Sequence, residues 1–313
     1  MICSVVIFFF TACEKEIDLN TNSYENAIVV EGHIENDLPP FVLLTKSTPF
    51  YGNLNLNNIA SYFVTGAIIT VSTDDDSVQL AEYNSAFVQS LPDSVIVALA
   101  AQFGLSIDSA ADFPDISIYT ISPADIRFFG RVGKRYDLRI EVDGKTLTST
   151  TTIPQPISFD SLWQRPHPNP SFADSFFQLY GRLSDPIVKG NYYRYFTKAD
   201  SSTFLVSDRS VFDDGPINGL TLDFFIPKGH PIGQFGDQDF NTSGYWSVNN
   251  DRVCTVKLCM IDKAHYDFWR TVEANRQSQG NPFGSTIYVK TNINGGLGIW
   301  GGYGSATTSL VRF

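Results

Sequence analysis

The stretch Gly133-Lys-Arg-Tyr-Asp-Leu-Arg-Ile-Glu-Val142 alternates strictly, and it constrains the fold more than any other segment. Tyr136, Leu138, Ile140 and Val142 fall on one side of an extended chain, because successive side chains on a strand point to opposite faces. Asp143-Gly144 follows, a pair suited to a two-residue hairpin turn. Lys145 to Ile153 then reads as a Thr-rich returning strand. Closely spaced strands with turn signals of this sort predict a β-sandwich.

Other segments carry the same signature. Ala27-Ile-Val-Val-Glu-Gly-His-Ile34 is a β-branched run and a first strand, Asp37-Leu-Pro-Pro40 turns the chain, and Phe41-Val-Leu-Leu-Thr45 is a second strand. Gly66 to Ser72 and Ser77 to Tyr83 read as a hairpin with Asp74-Asp75-Asp76 at its tip. Three adjacent carboxylates suit calcium, but a solvated turn is the commoner use. Leu91, Val95, Leu99 and Phe103 recur every four residues with Ile96 beside them, which predicts an amphipathic helix inserted among the strands and packed on the sheet. Aromatic residues make up 14% of the chain, 25 of them Phe, and fit strand cores.

Pro154-Gln-Pro156 marks a boundary, since proline stiffens the backbone and cannot donate to a ladder. Phe159 to Trp163 opens a second body, and Phe176 to Leu183 and Tyr192 to Phe196 read as adjacent strands. Further strands are expected at Ser202 to Val206, Leu220 to Ile226, Val253 to Met260, Ile287 to Lys290 and Ala306 to Val311. Asp262 is the expected N-cap of a helix over Lys263 to Gln279, which Gly280 and Pro282 stop. Ala264, Phe268 and Val272 line its expected buried face, Trp269 lies beside them, and His265 is placed at the surface. The expected architecture is mostly β. An N-terminal Ig-like or transthyretin-like β-sandwich with a helical insertion covers residues 26–154, and a second β-rich domain with one C-terminal helix covers residues 155–313.

The N-terminus reads differently. Met1 to Ala12 is apolar but too short to span a bilayer, which takes about 20 residues. It fits the core of a secretory signal peptide at residues 1–12. Small residues before Cys13 suit a signal peptidase, and the Cys13 thiol can then carry lipid; the plainer alternative is an ordinary cysteine near a cleavage site. Residues 13–25 are read as the lipidated Cys13 and a flexible tether. No Lys or Arg precedes the apolar run, so the true start is expected upstream of Met1. One acyl chain anchors only marginally, whereas two or more hold stably.

Residues 1–12 are uncharged, so the mature chain keeps the formal net charge of −11. Such acidity speaks against nucleic acid as a partner. Cys254 and Cys259 lie five residues apart, roughly 16 Å along a strand at about 3.3 Å per residue, and on opposite faces. They are read as buried free thiols rather than a disulfide. Asp237-Gln-Asp239-Phe-Asn241 resembles a calcium loop but has Thr242 where glycine belongs and Val248 where glutamate belongs, and reads as a polar loop. The run from Gly295 to Gly304 holds six glycines without a P-loop Lys-Ser/Thr or a strand-then-helix context. Glycine at this density makes bulges or permits close backbone approach. Trp300 and Tyr303 are the candidate ligand or partner surface, with core packing as the plainer reading. The four histidines are scattered and a nucleophile elbow is absent. No catalytic residue, cofactor or metal is assigned.

Four pieces in order carry a resemblance: Cys13-Glu-Lys-Glu-Ile-Asp18, Ile28-Val-Val-Glu-Gly32, Asp185-Pro186 with Asn191-Tyr-Tyr-Arg194, and Asn281-Pro-Phe283 through Asn292 to Gly295-Gly-Leu-Gly-Ile-Trp-Gly-Gly-Tyr303. Together they resemble the Bacteroidota cell-envelope lipoproteins of domain-of-unknown-function family 4249, over nearly the whole mature chain. The resemblance implies an outer-membrane lipoprotein, often the companion of a TonB-dependent barrel transporter, and supplies no catalytic residues. The acidic start after Cys13 resembles the signal that sends such lipoproteins to the cell surface. The expected function is a non-enzymatic accessory or binding component of an envelope complex, held to the membrane by lipid on Cys13. The alternatives are a structural or adhesive surface lipoprotein and, behind it, a glycan- or peptide-hydrolysing enzyme.

Overall fold

The computed structural model describes residues 27–47, 61–84, 87, 117–122, 128–231, 242–278 and 287–312. The signal peptide expected at residues 1–12, Cys13 and the expected tether, the helix expected at 91–103, the polar loop expected at 237–241 and the helix stop expected at Gly280 and Pro282 lie outside the described residues.

The first half carries β1 (Ile28–Glu35), β2 (Phe41–Lys46), β3 (Ile68–Ser72), β4 (Ser77–Gln79), β5 (Ala81–Tyr83), β6 (Ile118–Thr120), β7 (Arg135–Val142) and β8 (Lys145–Thr152). The second carries β9 (Ser161–Pro166), β10 (Phe176–Ser184), β11 (Tyr192–Ala199), β12 (Val211–Asp213), β13 (Thr221–Phe225), β14 (Trp246–Ser247) and β15 (Val253–Ile261). Helix α1 (Lys263–Ser278) and the long β16 (Leu297–Val311) follow. The chain is mostly β with one helix near its C-terminus, as the alternation and turn signals predict.

An eight-stranded sheet in the order β12-β11-β15-β16-β1-β2-β6-β5 joins the two halves. β16 is the seam. Its first part, Leu297 to Tyr303, runs parallel to β1, and its second part, Gly304 to Val311, runs antiparallel to β15. The large sheet thus combines β1, β2, β5 and β6 from before Pro154-Gln-Pro156 with β11, β12, β15 and β16 from after it, although the flanking β8 and β9 lie in different small sheets. Two smaller sheets cover one face of it. β4-β3-β7-β8 packs over β1, β2 and β6 around Val30, Ile34, Leu44, Ile69, Ile140 and Trp300. β13-β10-β14, with β9 on β10, packs over β11 and β15 around Phe177, Leu179, Tyr193, Trp246, Val256 and Leu258.

The β7–β8 hairpin matches its alternation. Tyr136, Leu138, Ile140 and Val142 are all buried, and Asp143 and Gly144 take positive φ of 50° and 71° at the turn. Elsewhere tertiary packing redirects the local pattern. After β4 the chain crosses over, and β5 pairs with β6 in the large sheet instead of completing the hairpin. β10 and β11 are not neighbours; they lie in different sheets and face each other across a core. Residues 202–206 make one bridge, Leu205 to Thr197. Residues 287–290 form no strand, because their backbone bonds go to helix side chains: Lys290 N–H donates to Thr271 Oγ1 at 3.0 Å, and Asn275 Nδ2 donates to the Ile287 carbonyl at 3.0 Å. β16 begins nine residues before the expected Ala306, inside the glycine run.

Candidate functional site

The other face of the large sheet carries the polar groups. Residues paired in register share a face, so Glu31, His33 and Glu35 on β1 stand with Ile299, Gly301 and Tyr303 on β16. Ser305 continues the row and pairs with Cys259 of β15, which pairs with Arg194 of β11; next along, Lys257 pairs with Phe196. α1 lies over part of this face. Between sheet, helix and the 202–206 segment is a cleft of about 390 Å³, within the size range of small-molecule sites. A broader depression of about 480 Å³ over Leu138, Thr148 and Asn292 is more open, and one near Tyr136 holds only about 50 Å³.

α1 is fixed at its start by Asp262. Its Oδ1 accepts from the His265 N–H at 2.9 Å, the capping bond that such a residue supplies, and its Oδ2 accepts from Thr151 Oγ1 at 2.6 Å. The helix face toward the sheet is not the expected apolar one. Ala264 is exposed, whereas His265, placed at the surface by sequence, is 1% exposed. His265, Trp269 and Arg276 all line the cleft, because the sheet beneath is polar and its partner stripe must match it. The glycines of β16 make room for this. A Cβ on Gly301 would come within 2.5 Å of the His265 ring, and one on Gly304 within 2.0 Å of the Pro154 carbonyl oxygen.

The polar groups hold one another. Lys257 Nζ lies 3.0 Å from Glu35 Oε2, bridging β15 to β1 across β16, and Ser305 Oγ donates to Glu35 Oε1 at 2.5 Å. Arg194, 5% exposed, donates from Nη1 to Tyr303 Oη at 2.6 Å and lies 3.4 Å over the Trp269 ring. Tyr303 also packs against His265, ring centres 4.5 Å apart, and against His33 at 5.8 Å.

Burial sets the charge states. Desolvation, with Lys257 and Arg194 adding to it against Glu35, lowers the His33 pKa to about 4. Desolvation and Arg194 hold His265 well below the ordinary imidazole range. Both rings are therefore neutral near pH 7. Desolvation raises the Glu31 carboxyl, although its side chain still reaches solvent, and Arg194 and Arg276 pull it back. Arg276 is lowered by burial and by Arg194, while Glu273 and Glu31 oppose the shift.

The shelf read from Trp300 and Tyr303 does not form at the surface. Trp300 is fully buried in the first core, with its indole N–H donating to the Tyr136 carbonyl at 3.1 Å. The alternation along β16 sends Tyr303 to the opposite face, where it is 7% exposed and lines the cleft. Sequence reasoning assigns no site role to Glu31, Arg194, Lys257 or Arg276, and it places His265 at the surface. The signal available was single charged residues at alternate positions of otherwise apolar strands, as in Glu31-Gly-His-Ile-Glu35. Cys254 and Cys259 are buried free thiols, as read. Residues 73–76 form the hairpin tip, where Thr73 Oγ1 accepts from the Asp76 N–H at 3.1 Å. Among the described residues no cluster of three metal-ligating side chains occurs.

The family model for the domain of unknown function DUF4249 matches residues 14–309, and the chain belongs to that family. No curated protein matches the sequence.

Proposed function

Starting from that membership, we propose that the chain is a non-enzymatic, lipid-anchored binding protein of the bacterial outer membrane, the companion of a TonB-dependent barrel. The observation that carries the binding role is the cleft, a ligand-sized hollow lined by charged and aromatic side chains. Its groups are engaged in fixing each other, Lys257 with Glu35 and Arg194 with Tyr303, which suits recognition better than proton transfer. The envelope location rests on the apolar run before Cys13 and on the resemblance to Bacteroidota lipoproteins. A lipid on Cys13 would supply the anchor; among the described residues no helix is long and apolar enough to cross a membrane. The N-terminal half is proposed to be an Ig-like or transthyretin-like sandwich, from the two sheets that face each other across Trp300.

Membrane fractionation of wild type and Cys13→Ser tests the anchor. Wild type is expected to pellet with outer membranes after a salt wash and Cys13→Ser to stay soluble. A variant that still pellets would exclude lipid as the tether.

A further inference from the structure

We propose that the cleft takes an anionic small molecule, with its carboxylate or phosphate group held by the guanidinium groups of Arg194 and Arg276. This deepens the binding reading above and depends on it.

A buried charge is normally paired, because leaving water without a partner is costly. Lys257 obeys this rule through Glu35. Arg194 does not. It is 5% exposed, yet its hydrogen bonds go to two neutral hydroxyls, Tyr303 Oη at 2.6 Å and Ser210 Oγ at 3.4 Å. The nearby carboxylate of Glu273 is turned to the Ser210 backbone and hydroxyl, at 2.9 and 2.6 Å. Among the described residues, neither Arg194 nor Arg276 forms an ion pair with a carboxylate. Both guanidinium groups line the same cleft, and burial together with Arg194 lowers the Arg276 pKa.

The setting favours an anion with a flat or apolar body. The Arg194 guanidinium carbon lies 3.4 Å from the Trp269 ring centre and 4.8 Å from that of Phe196, while Glu31 and Glu273 act on its charge through space without an ion pair among the described residues. Trp269 also lines the cleft, and its buried indole N–H has no hydrogen-bond partner among the described residues. Two guanidinium groups and an indole donor match the acceptor oxygens of a carboxylate or phosphate. Glu31, exposed in the same cleft, would accept from a hydroxyl or ammonium group beside the anion and would repel a second negative charge placed there.

The test is calorimetric titration of the full chain in detergent with inorganic phosphate, acetate and, as a neutral control, glucose. Wild type is expected to bind phosphate or acetate, the stronger of the two identifying the headgroup, and Arg276→Gln is expected to weaken that binding at least tenfold. Arg276 is half-buried in the last turn of α1, so this variant carries less folding risk than replacing the buried Arg194. Arg135→Gln, on the exposed side of β7, serves as the control and should bind as wild type does. Anion binding that Arg276→Gln leaves unchanged overturns the assignment, as does the absence of binding by both anions. Binding of glucose alone overturns it too while leaving the cleft a binding site; the membrane and partner assays are independent of all these outcomes.

Discussion

Arg194 donates to the phenol oxygen of Tyr303 at 2.6 Å, and the two side chains come from strands that do not touch, β11 and β16. The bond spans β15 on the polar face of the large sheet. It ties the C-terminal glycine-rich strand to the buried Arg194 of the cleft. Tyr303→Phe removes the only hydroxyl within 3 Å of that guanidinium among the described residues. The loss is expected to cost about 1–3 kcal/mol, the range for stranding a charged donor. Urea unfolding would show it, with Tyr288→Phe, 84% exposed, unchanged.

Gly301→Ala tests the packing between strand and helix. The added methyl meets the His265 ring at under 2.6 Å, and the ring is enclosed, so one of them must move. Overpacking of this kind costs about 1–3 kcal/mol. The double variant Gly301→Ala with His265→Ala should recover part of what the two single losses sum to. Strict additivity in a double-mutant cycle would show that the two sites do not touch.

The fold was legible where burial is one-sided. β7 alternates because one face meets a core and the other meets water. β16 was not, since six glycines interrupt Leu297, Ile299, Trp300 and Tyr303; Gly302 and Gly304 answer to the carbonyls of Thr152 and Pro154 crossing close by. The site was less legible still. Glu31 and Arg194 are separated by more than 160 positions, and Tyr303 by 109 from Arg194. The parallel pairing of β1 with β16 brings Glu31 to the face of Tyr303, and the antiparallel pairings of β15 with β11 and β16 bring Arg194 there; pairings between strands so distant in sequence leave no local mark. The inward stripe of α1, with His265 and Trp269, is offset by one position from its hydrophobic stripe of Ala264 and Phe268, because the surface it meets is charged.

Stability is expected to fall on acidification from about pH 6.5 to about pH 4. His33 and His265 have depressed folded pKa values, so over this window the unfolded chain takes up protons that the folded chain refuses. The stabilisation is full above the unfolded value of 6.5 and is lost below it. Each histidine adds a slope of about 1.4 kcal/mol per pH unit where only the unfolded state is protonated. Glu31 and Glu273, both raised, act in the opposite sense. Urea unfolding across pH would show a slope that His265→Gln reduces by about one proton.

Cys254 and Cys259 should be inert while the chain is folded. Both are buried, and desolvation pushes each thiol up to about 12, so little thiolate exists at neutral pH. A chromogenic disulfide reagent is expected to leave both unmodified in buffer and to titrate both in urea. Fast reaction of either in the native chain would mean that the sheet opens locally at β15.

The measurement that most directly tests the role in the envelope is crosslinking in intact cells, followed by pull-down from solubilised outer membranes and mass spectrometry. A TonB-dependent barrel recovered in stoichiometric amount is the expected result. Recovery of the protein in the outer-membrane fraction without any barrel would contradict the companion role.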